Sequence, residues 1–138
     1  MEKINIDISV YTFDIDFAGH VGNNVYLQWV EIGRCKFLEA VGFPIQTAVE
    51  KGLVPVIVNM NISYKKPLYL GDRVRLEVWL SELKKVTHVI EFRFYNGEGI
   101  LAATGYQKGI FVNPQTMRPC SMSPEIRDLF LPYVDDGD

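Results

Sequence analysis

Apolar and polar residues alternate along several stretches of the chain, and each stretch predicts a β-strand. Ile4, Ile6, Ile8 and Val10 occupy every second position near the start, which is the period of a half-buried strand. The same period recurs later, and Asn96-Gly97 is a strong signal for a hairpin between two of the runs. The predicted strands cover residues 5–13, 54–64, 73–82, 86–95 and 99–112.

A helical period interrupts this pattern between residues 24 and 41. Tyr26, Trp29 and Phe37 fall on one broad apolar face, and Gly42 with Pro44 forms a stop signal. Shorter helices are predicted at 45–51 and 124–131, the second beginning at a Ser-Pro-Glu cap. One long helix followed by strands joined by short turns predicts an α+β fold, with the helix laid on a curved antiparallel sheet.

Length and charge narrow the classes of protein to consider. The 138 residues suit a single domain spanning 1–138, with a frayed acidic tail at 134–138. The net charge of -3 argues against nucleic acid as a partner, and no apolar run approaches the ~18 residues of a membrane span. Cys35 and Cys120 lie far apart, and no signal peptide precedes the first strand. We therefore expect a cytoplasmic protein with free thiols and with neither a metal nor a cofactor.

The candidate chemistry lies between the first strand and the long helix. Asp14 and Asp16 are followed by a glycine turn, His20, and the pair Asn23-Asn24. Asparagine is a favoured N-cap residue, and the free amides of a helix N-terminus attract negative charge. A carboxylate near such amides suits attack on a carbonyl, because one group activates the nucleophile while the amides stabilise the developing oxyanion. The local alternative for Asp16 is a turn aspartate that bonds its own backbone.

These residues form a recognisable signature. The pattern D-x-D-x-x-G-H-V-x-N-x-x-Y, followed by Trp29, Glu31 and Arg34, resembles the hot-dog-fold acyl-CoA thioesterases, in particular the 4-hydroxybenzoyl-CoA thioesterase-like group. A second block over residues 62–72, in which a strand meets a proline turn and then Gly-Asp, resembles the same group. The resemblance implies one long helix wrapped by a curved antiparallel sheet of five to six strands. It also implies a homodimer or homotetramer with active sites at the subunit boundary.

The resemblance also implies a role for individual residues. Asp16 would act as nucleophile or as general base for water, and the Asn23 amide would be the oxyanion donor. His20 would either assist in the site or only pack within the loop. Substrate contacts are expected from the turn glycine, Gly19, and from Tyr26 and Tyr64, which also suit core packing. Lysines suit the phosphates of coenzyme A, and the candidates are Lys65, Lys66, Lys84 and Lys85.

Other functions stay open at this point. His20-Val21-x-Asn23 also resembles the plant-type acyl-acyl carrier protein (acyl-ACP) thioesterases, although Ala18 and Gly22 replace two of their asparagines. A non-catalytic acyl-CoA-binding hot-dog protein is a further alternative, which the retained Asp16 disfavours. Another branch of hot-dog thioesterases has a catalytic glutamate on the helix, so Glu31 is also a candidate.

Overall fold

A computed structural model describes residues 1–135, and in it the chain forms an antiparallel sheet with a long helix on one face. The order along the chain is strand, long helix, short helix, four long strands, a short strand and a last helix. Their bounds are β1 Ile4–Ser9, α1 Asn23–Val41, α2 Ile45–Glu50, β2 Val54–Tyr64, β3 Arg73–Leu83, β4 Thr87–Tyr95, β5 Leu101–Val112, β6 Pro119–Cys120 and α3 Pro124–Phe130.

The sheet has six strands in the order β1-β3-β4-β5-β2, and β6 pairs with the end of β5. All of the pairings between named strands are antiparallel. α1 packs on β1, β3 and β4, whereas α2 packs on β2. The predicted α+β class and the antiparallel sheet of five to six strands are confirmed. β1 and β2 end the order, so each is an edge strand.

The core lies between α1 and the inner face of the sheet. Tyr26, Trp29 and Phe37 are buried there, as their helical spacing predicts. Gly33 brings helix and sheet together, because a Cβ at this position would lie 2.8 Å from Leu76 Cδ2 and 3.1 Å from Phe92 Cε1. This close approach accounts for a residue that costs a helix interior about 1 kcal/mol relative to alanine.

The chain turns earlier than predicted after the first strand. β1 ends at Ser9 rather than at residue 13, because the Tyr11 N–H donates to Asp14 Oδ2 (2.9 Å) and a 3₁₀ turn follows at Thr12–Asp14. The prediction of an asparagine N-cap is wrong, since α1 begins at Asn23 and its N-cap is Gly22. The short strand β6 was not predicted; it pairs over only two residues, which is too short for an alternating pattern to reveal.

The C-terminal segment folds back onto the sheet. Ser123 Oγ accepts the Ile126 N–H (3.3 Å) at the start of α3, and a 3₁₀ turn at Leu131–Tyr133 follows the helix. Val134 then forms a parallel bridge with Leu80, and the Asp135 N–H donates to the Leu80 carbonyl (2.7 Å). The predicted frayed tail is therefore paired at its first two residues, and residues 136–138 lie outside the described part. None of the helices described is long and apolar enough to cross a membrane.

Candidate active site

The loop between the 3₁₀ turn and α1 is a tight antiparallel turn. Ile15 and Val21 form an isolated bridge, and the Asp16 N–H donates to the His20 carbonyl (2.9 Å). Gly19 adopts a φ of 84°, a left-handed conformation that side chains disfavour. The turn therefore brings Asp16 and His20 to opposite sides of one short hairpin, as a turn at Gly19 predicts.

Asp16 makes a local bond through only one of its carboxylate oxygens. Oδ1 accepts the Ala18 N–H (2.9 Å) and lies 4.0 Å from His20 Nδ1. Oδ2 accepts no hydrogen bond from any residue among 1–135. The Asp16 side chain is one-third exposed. Asp16 thus does bond the backbone of its own turn, as the local alternative predicts. That bond fixes the carboxylate through Oδ1 and leaves Oδ2 unused.

The first turn of α1 lies directly beside that carboxylate. A Cβ placed on Gly22 would lie 3.5 Å from Asp16 Cβ and 3.8 Å from Asp16 Oδ2. The Val25 N–H donates back to the Gly22 carbonyl (3.0 Å), but the N–H groups of Asn23 and Asn24 find no acceptor within residues 1–135. The helix start therefore offers two unpaired donors, as the first amides of a helix generally do.

A cavity of about 260 Å³ opens at this helix start. It brings together most of the residues that the sequence singled out, together with Val21 and Pro67, which were not predicted. Asp16 and Gly19 are not on its wall; Asp16 lies against Gly22 at its edge. The lining residues are His20, Val21, Asn23, Tyr26, Tyr64, Lys65, Lys66 and Pro67.

Backbone hydrogen bonds hold the two walls of the cavity in register. The Val21 N–H donates to the Leu68 carbonyl (2.8 Å), which joins the loop before α1 to the turn after β2. The amides of Lys65 and Lys66 both donate to the Ala102 carbonyl (2.8 and 3.0 Å). The two lysine side chains consequently leave a fixed stretch of backbone and remain exposed at the rim.

Two tyrosines form the back of the cavity. Tyr26 is buried against Trp29 and Phe94, and its ring meets Tyr64 edge-on with centroids 5.1 Å apart. Burial, helped by the nearby Tyr64 and by the Asp72 carboxylate, raises the pKa of Tyr26 to about 12. Burial also raises the pKa of Tyr64, whose hydroxyl donates to the Asn23 carbonyl (3.5 Å). Both phenols therefore stay protonated at neutral pH, and the Tyr64 hydroxyl is a hydrogen-bond donor.

Other candidates from the sequence lie away from the cavity. Asp14 is buried, and its carboxylate caps the Tyr11 amide, so it shapes the loop. Glu31 pairs with Arg34 (2.9 Å) and is not on the cavity wall. Lys84 pairs with Glu82 (3.2 Å) in the turn between β3 and β4, and neither Lys84 nor Lys85 lines the cavity.

A partly buried polar cluster between α1 and the sheet was not predicted. Gln107 is 2% exposed, and its Nε2 faces Glu31 Oε1 and Met60 Sδ (3.5 and 3.4 Å). Burial and the Arg34 charge lower the pKa of His88 to about 4, so His88 is neutral. Three buried atoms of this cluster have no partner in the described residues: Arg34 Nε, His88 Nδ1 and Gln107 Oε1. The burial of Gln107 could have been predicted from the alternation of β5. In that strand Gln107 falls between exposed residues, on the same buried side as Ala103.

Comparison with known families identifies the chain. The family model described as the Thioesterase-like superfamily matches residues 10–130, which is most of the sequence. The chain belongs to this superfamily. The resemblance drawn from the signature around Asp16 is therefore confirmed, and so is the predicted enzyme class, a thioester hydrolase.

Individual relatives agree with this assignment. The Bacillus subtilis protein named "Putative acyl-CoA thioesterase YneP" is 28% identical over 127 residues, covering 92% of each chain. An acyl-acyl carrier protein thioesterase of Arabidopsis thaliana chloroplasts, ATL3, is 26% identical over 96% of this chain and 70% of its own length. A thioesterase from Thermus thermophilus, solved with coenzyme A and Zn, superposes with a TM-score of 0.79 at 25% identity, over 97% of this chain and 95% of that one. The hot-dog fold is thereby confirmed.

Proposed function

We propose that the chain hydrolyses an acyl-CoA thioester at the 260 Å³ cavity, releasing the acid and free coenzyme A. One observation carries the proposal: the unpaired N–H groups of Asn23 and Asn24 lie beside a carboxylate whose second oxygen is unused. Donors preorganised at a helix N-terminus stabilise the oxyanion of a tetrahedral intermediate, an effect worth about 3 kcal/mol per donor. The names of the relatives support a thioester as the substrate. The coenzyme A bound in the Thermus thermophilus structure supports coenzyme A as the carrier of the acyl group.

In this proposal Asp16 carries the chemistry through Oδ2. As nucleophile, the carboxylate attacks the thioester carbonyl and expels the thiolate, and water then hydrolyses the mixed anhydride. As general base, it takes a proton from the attacking water instead. In both routes one water is consumed and the thiolate leaves as the thiol. Restraint of Oδ1 by the Ala18 amide supports either route, because it fixes the carboxylate while Oδ2 stays available.

The remaining residues bind or orient the substrate. The backbone N–H groups of Asn23 and Asn24 donate to the carbonyl oxygen of the thioester. Tyr26 and Tyr64 form the part of the cavity wall that contacts the acyl group. Lys65 and Lys66 are exposed at the rim, where they would meet the phosphates of coenzyme A. His20 lines the cavity across the hairpin from Asp16, with Nδ1 3.4 Å from the Val21 carbonyl oxygen and 4.0 Å from Asp16 Oδ1, so it assists from the cavity wall rather than through a hydrogen bond to the carboxylate.

The test of the proposed chemistry is thiol release from a panel of acyl-CoAs by the wild-type protein and by Asp16→Asn. We expect the substitution to lower kcat by a factor of about 10² or more, because the amide neither attacks the carbonyl nor accepts a proton from water. Asp14→Asn is not a suitable control, since Asp14 caps the Tyr11 amide; Asp128→Asn, on the exposed face of α3, is suitable. Equal turnover by wild type and Asp16→Asn would contradict the role of Asp16.

An acyl-ACP thioesterase is the second candidate. It is favoured by the relative ATL3, which matches almost the whole of this chain. Assays with matched acyl-CoA and acyl-ACP substrates separate the two, and a kcat/KM at least tenfold higher for acyl-CoA supports the first. Association into a homodimer or homotetramer, and a cytoplasmic location, stay predictions of the sequence.

A further inference from the structure

The Tyr26 hydroxyl is a hydrogen-bond donor in the cavity wall that has no acceptor within residues 1–135. The residue is only 2% exposed. Its ring is enclosed by those of Trp29, Phe94 and Tyr64, with centroids 5.1 to 5.4 Å away. The large majority of buried polar side-chain atoms in proteins have a hydrogen-bond partner. An unused hydroxyl on so deeply packed a ring therefore indicates an acceptor that the protein itself does not supply.

The oxygen of this hydroxyl lies at the cavity rather than inside the core. It is not among the fully buried atoms that lack a partner in the described residues, so it keeps some contact with solvent, and Tyr26 lines the cavity. Tyr26 follows Asn23 by three residues on α1, and residues at this spacing lie on one side of a helix. The hydroxyl therefore shares the cavity with the N–H groups proposed to hold the thioester carbonyl.

The polar neighbours of the hydroxyl are engaged elsewhere. Tyr64 donates its own hydroxyl to the Asn23 carbonyl (3.5 Å). Asp72 influences the pKa of Tyr26 through its charge and not through a hydrogen bond, and its Oδ2 accepts the Tyr69 N–H (2.8 Å). Because the pKa of Tyr26 is about 12, the hydroxyl keeps its proton at neutral pH. It is therefore available to donate a hydrogen bond to a ligand in the cavity.

We propose that Tyr26 is a specificity-determining residue and that the acyl group carries an oxygen atom of its own, on a short chain or on a ring, which accepts a hydrogen bond from the Tyr26 hydroxyl. An acyl group made of hydrocarbon alone would cover the hydroxyl without pairing it, and burying an unpaired polar group costs free energy. A site that hydrogen-bonds its substrate rejects the analogue without the bonding group more strongly than an apolar pocket does. This inference rests on the proposed thioesterase activity and adds the substrate class to it.

The test measures kcat/KM for two matched pairs of substrates with the wild-type protein and with Tyr26→Phe, which removes only the hydroxyl. One pair is 3-oxobutanoyl-CoA and butanoyl-CoA, and the other is 4-hydroxybenzoyl-CoA and benzoyl-CoA, so the pairs distinguish an oxygen on a chain from one on a ring. We expect the preference for the oxygenated member to fall at least fivefold in Tyr26→Phe in at least one pair. Comparing the preference between the two proteins removes the difference in intrinsic reactivity between the two thioesters.

Two further tyrosines provide matched comparisons. Tyr106→Phe removes a hydroxyl from the outer face of β5 and should leave the activity and both preferences unchanged. Tyr64→Phe removes a hydroxyl that already has a partner, so it should leave both preferences unchanged even if it lowers the turnover of every substrate. The midpoint of urea unfolding should not fall in Tyr26→Phe, because the Tyr26 hydroxyl forms no bond within the described residues.

The outcomes separate this inference from the proposed function. A change of less than fivefold in both pairs overturns the role of Tyr26 alone. That result is expected if the hydroxyl donates instead to the pantetheine part of coenzyme A, which all four substrates share. An equal change of preference in Tyr64→Phe also overturns the role of the Tyr26 hydroxyl, since the effect then belongs to the wall as a whole. Release of no thiol from any acyl-CoA by the wild type overturns the proposed function itself, and this inference with it.

Discussion

Gly22 shows how one residue without a side chain brings a carboxylate to a helix start. As the N-cap of α1 it has an ordinary φ of −70°, so its role is spatial rather than conformational. Its missing side chain leaves room for Asp16 on one side and Asn24 on the other. The sequence pattern favoured an asparagine cap just after this position, in the pair Asn23-Asn24, because the gain from a side-chain cap is visible in sequence whereas the space needed by a neighbour is not.

Gly22→Ala is therefore predicted to impair catalysis more than folding. The new Cβ would lie 2.9 Å from Asn24 Oδ1, so the Asn24 side chain must move, and 3.5 Å from Asp16 Cβ, an ordinary van der Waals contact that fills the space beside the carboxylate. We expect kcat to fall severalfold while the midpoint of urea unfolding changes little. Gly97→Ala is the control, since a Cβ there meets nothing closer than 3.7 Å. An active Gly22→Ala enzyme would argue against the contact between Asp16 and the helix start.

At the scale of elements, α1 has two different relations to the sheet. Over β1, β3 and β4 it makes an apolar contact that includes Gly33. Toward β5 and β2 it meets the partly buried polar cluster of Glu31, Arg34, His88 and Gln107. A histidine that is neutral in the folded state makes this contact sensitive to pH, because protonation would place a second cation beside Arg34.

Stability is predicted to fall as the pH is lowered from 7 to 4. The pKa of His88 is about 4 in the folded protein and 6.5 ordinarily, so the unfolded chain binds the proton more readily. The contribution of neutral His88 to the free energy of unfolding is therefore fully present above about pH 6.5. It is lost progressively as the pH falls to about 4, and the loss is on the order of 3 kcal/mol. Urea unfolding at several pH values measures it. His88→Leu should show a shallower dependence over this window, and an equal slope in both proteins would contradict the assignment.

At the scale of the whole molecule, β2 is a long edge strand whose outer edge has no partner strand within residues 1–135. The strand has eleven residues, and Val58 and Met60 are 53% and 39% exposed. Proteins usually cover or charge such an edge, because its free amides and carbonyls pair readily with another strand. This observation supports the homo-oligomer that the sequence predicts, with β2 at the interface.

Val58→Lys is predicted to weaken that association. A lysine on an edge strand opposes pairing with a second copy, through its charge and its hydration. We expect sedimentation velocity to show a dimer or tetramer for the wild type and a smaller species for the variant at the same concentration. Lys65→Ala, at the cavity rim, is the control. A monomeric wild type at micromolar concentration would contradict the predicted assembly.

The sequence by itself determined the class of fold and the order of the long elements, and it singled out most of the residues that the cavity brings together. Hydrophobic period distinguishes α1 from the strands, and the residues from Asp14 to Tyr26 carry a signature of the superfamily, because both are local properties of the chain. Tertiary structure alone decided that Tyr64 crosses from β2 to α1, that polar atoms of Gln107 and His88 are buried together, and that Val134 pairs with Leu80. These contacts join residues far apart in sequence, and their geometry depends on how the strands pack around the helix, which no local pattern encodes.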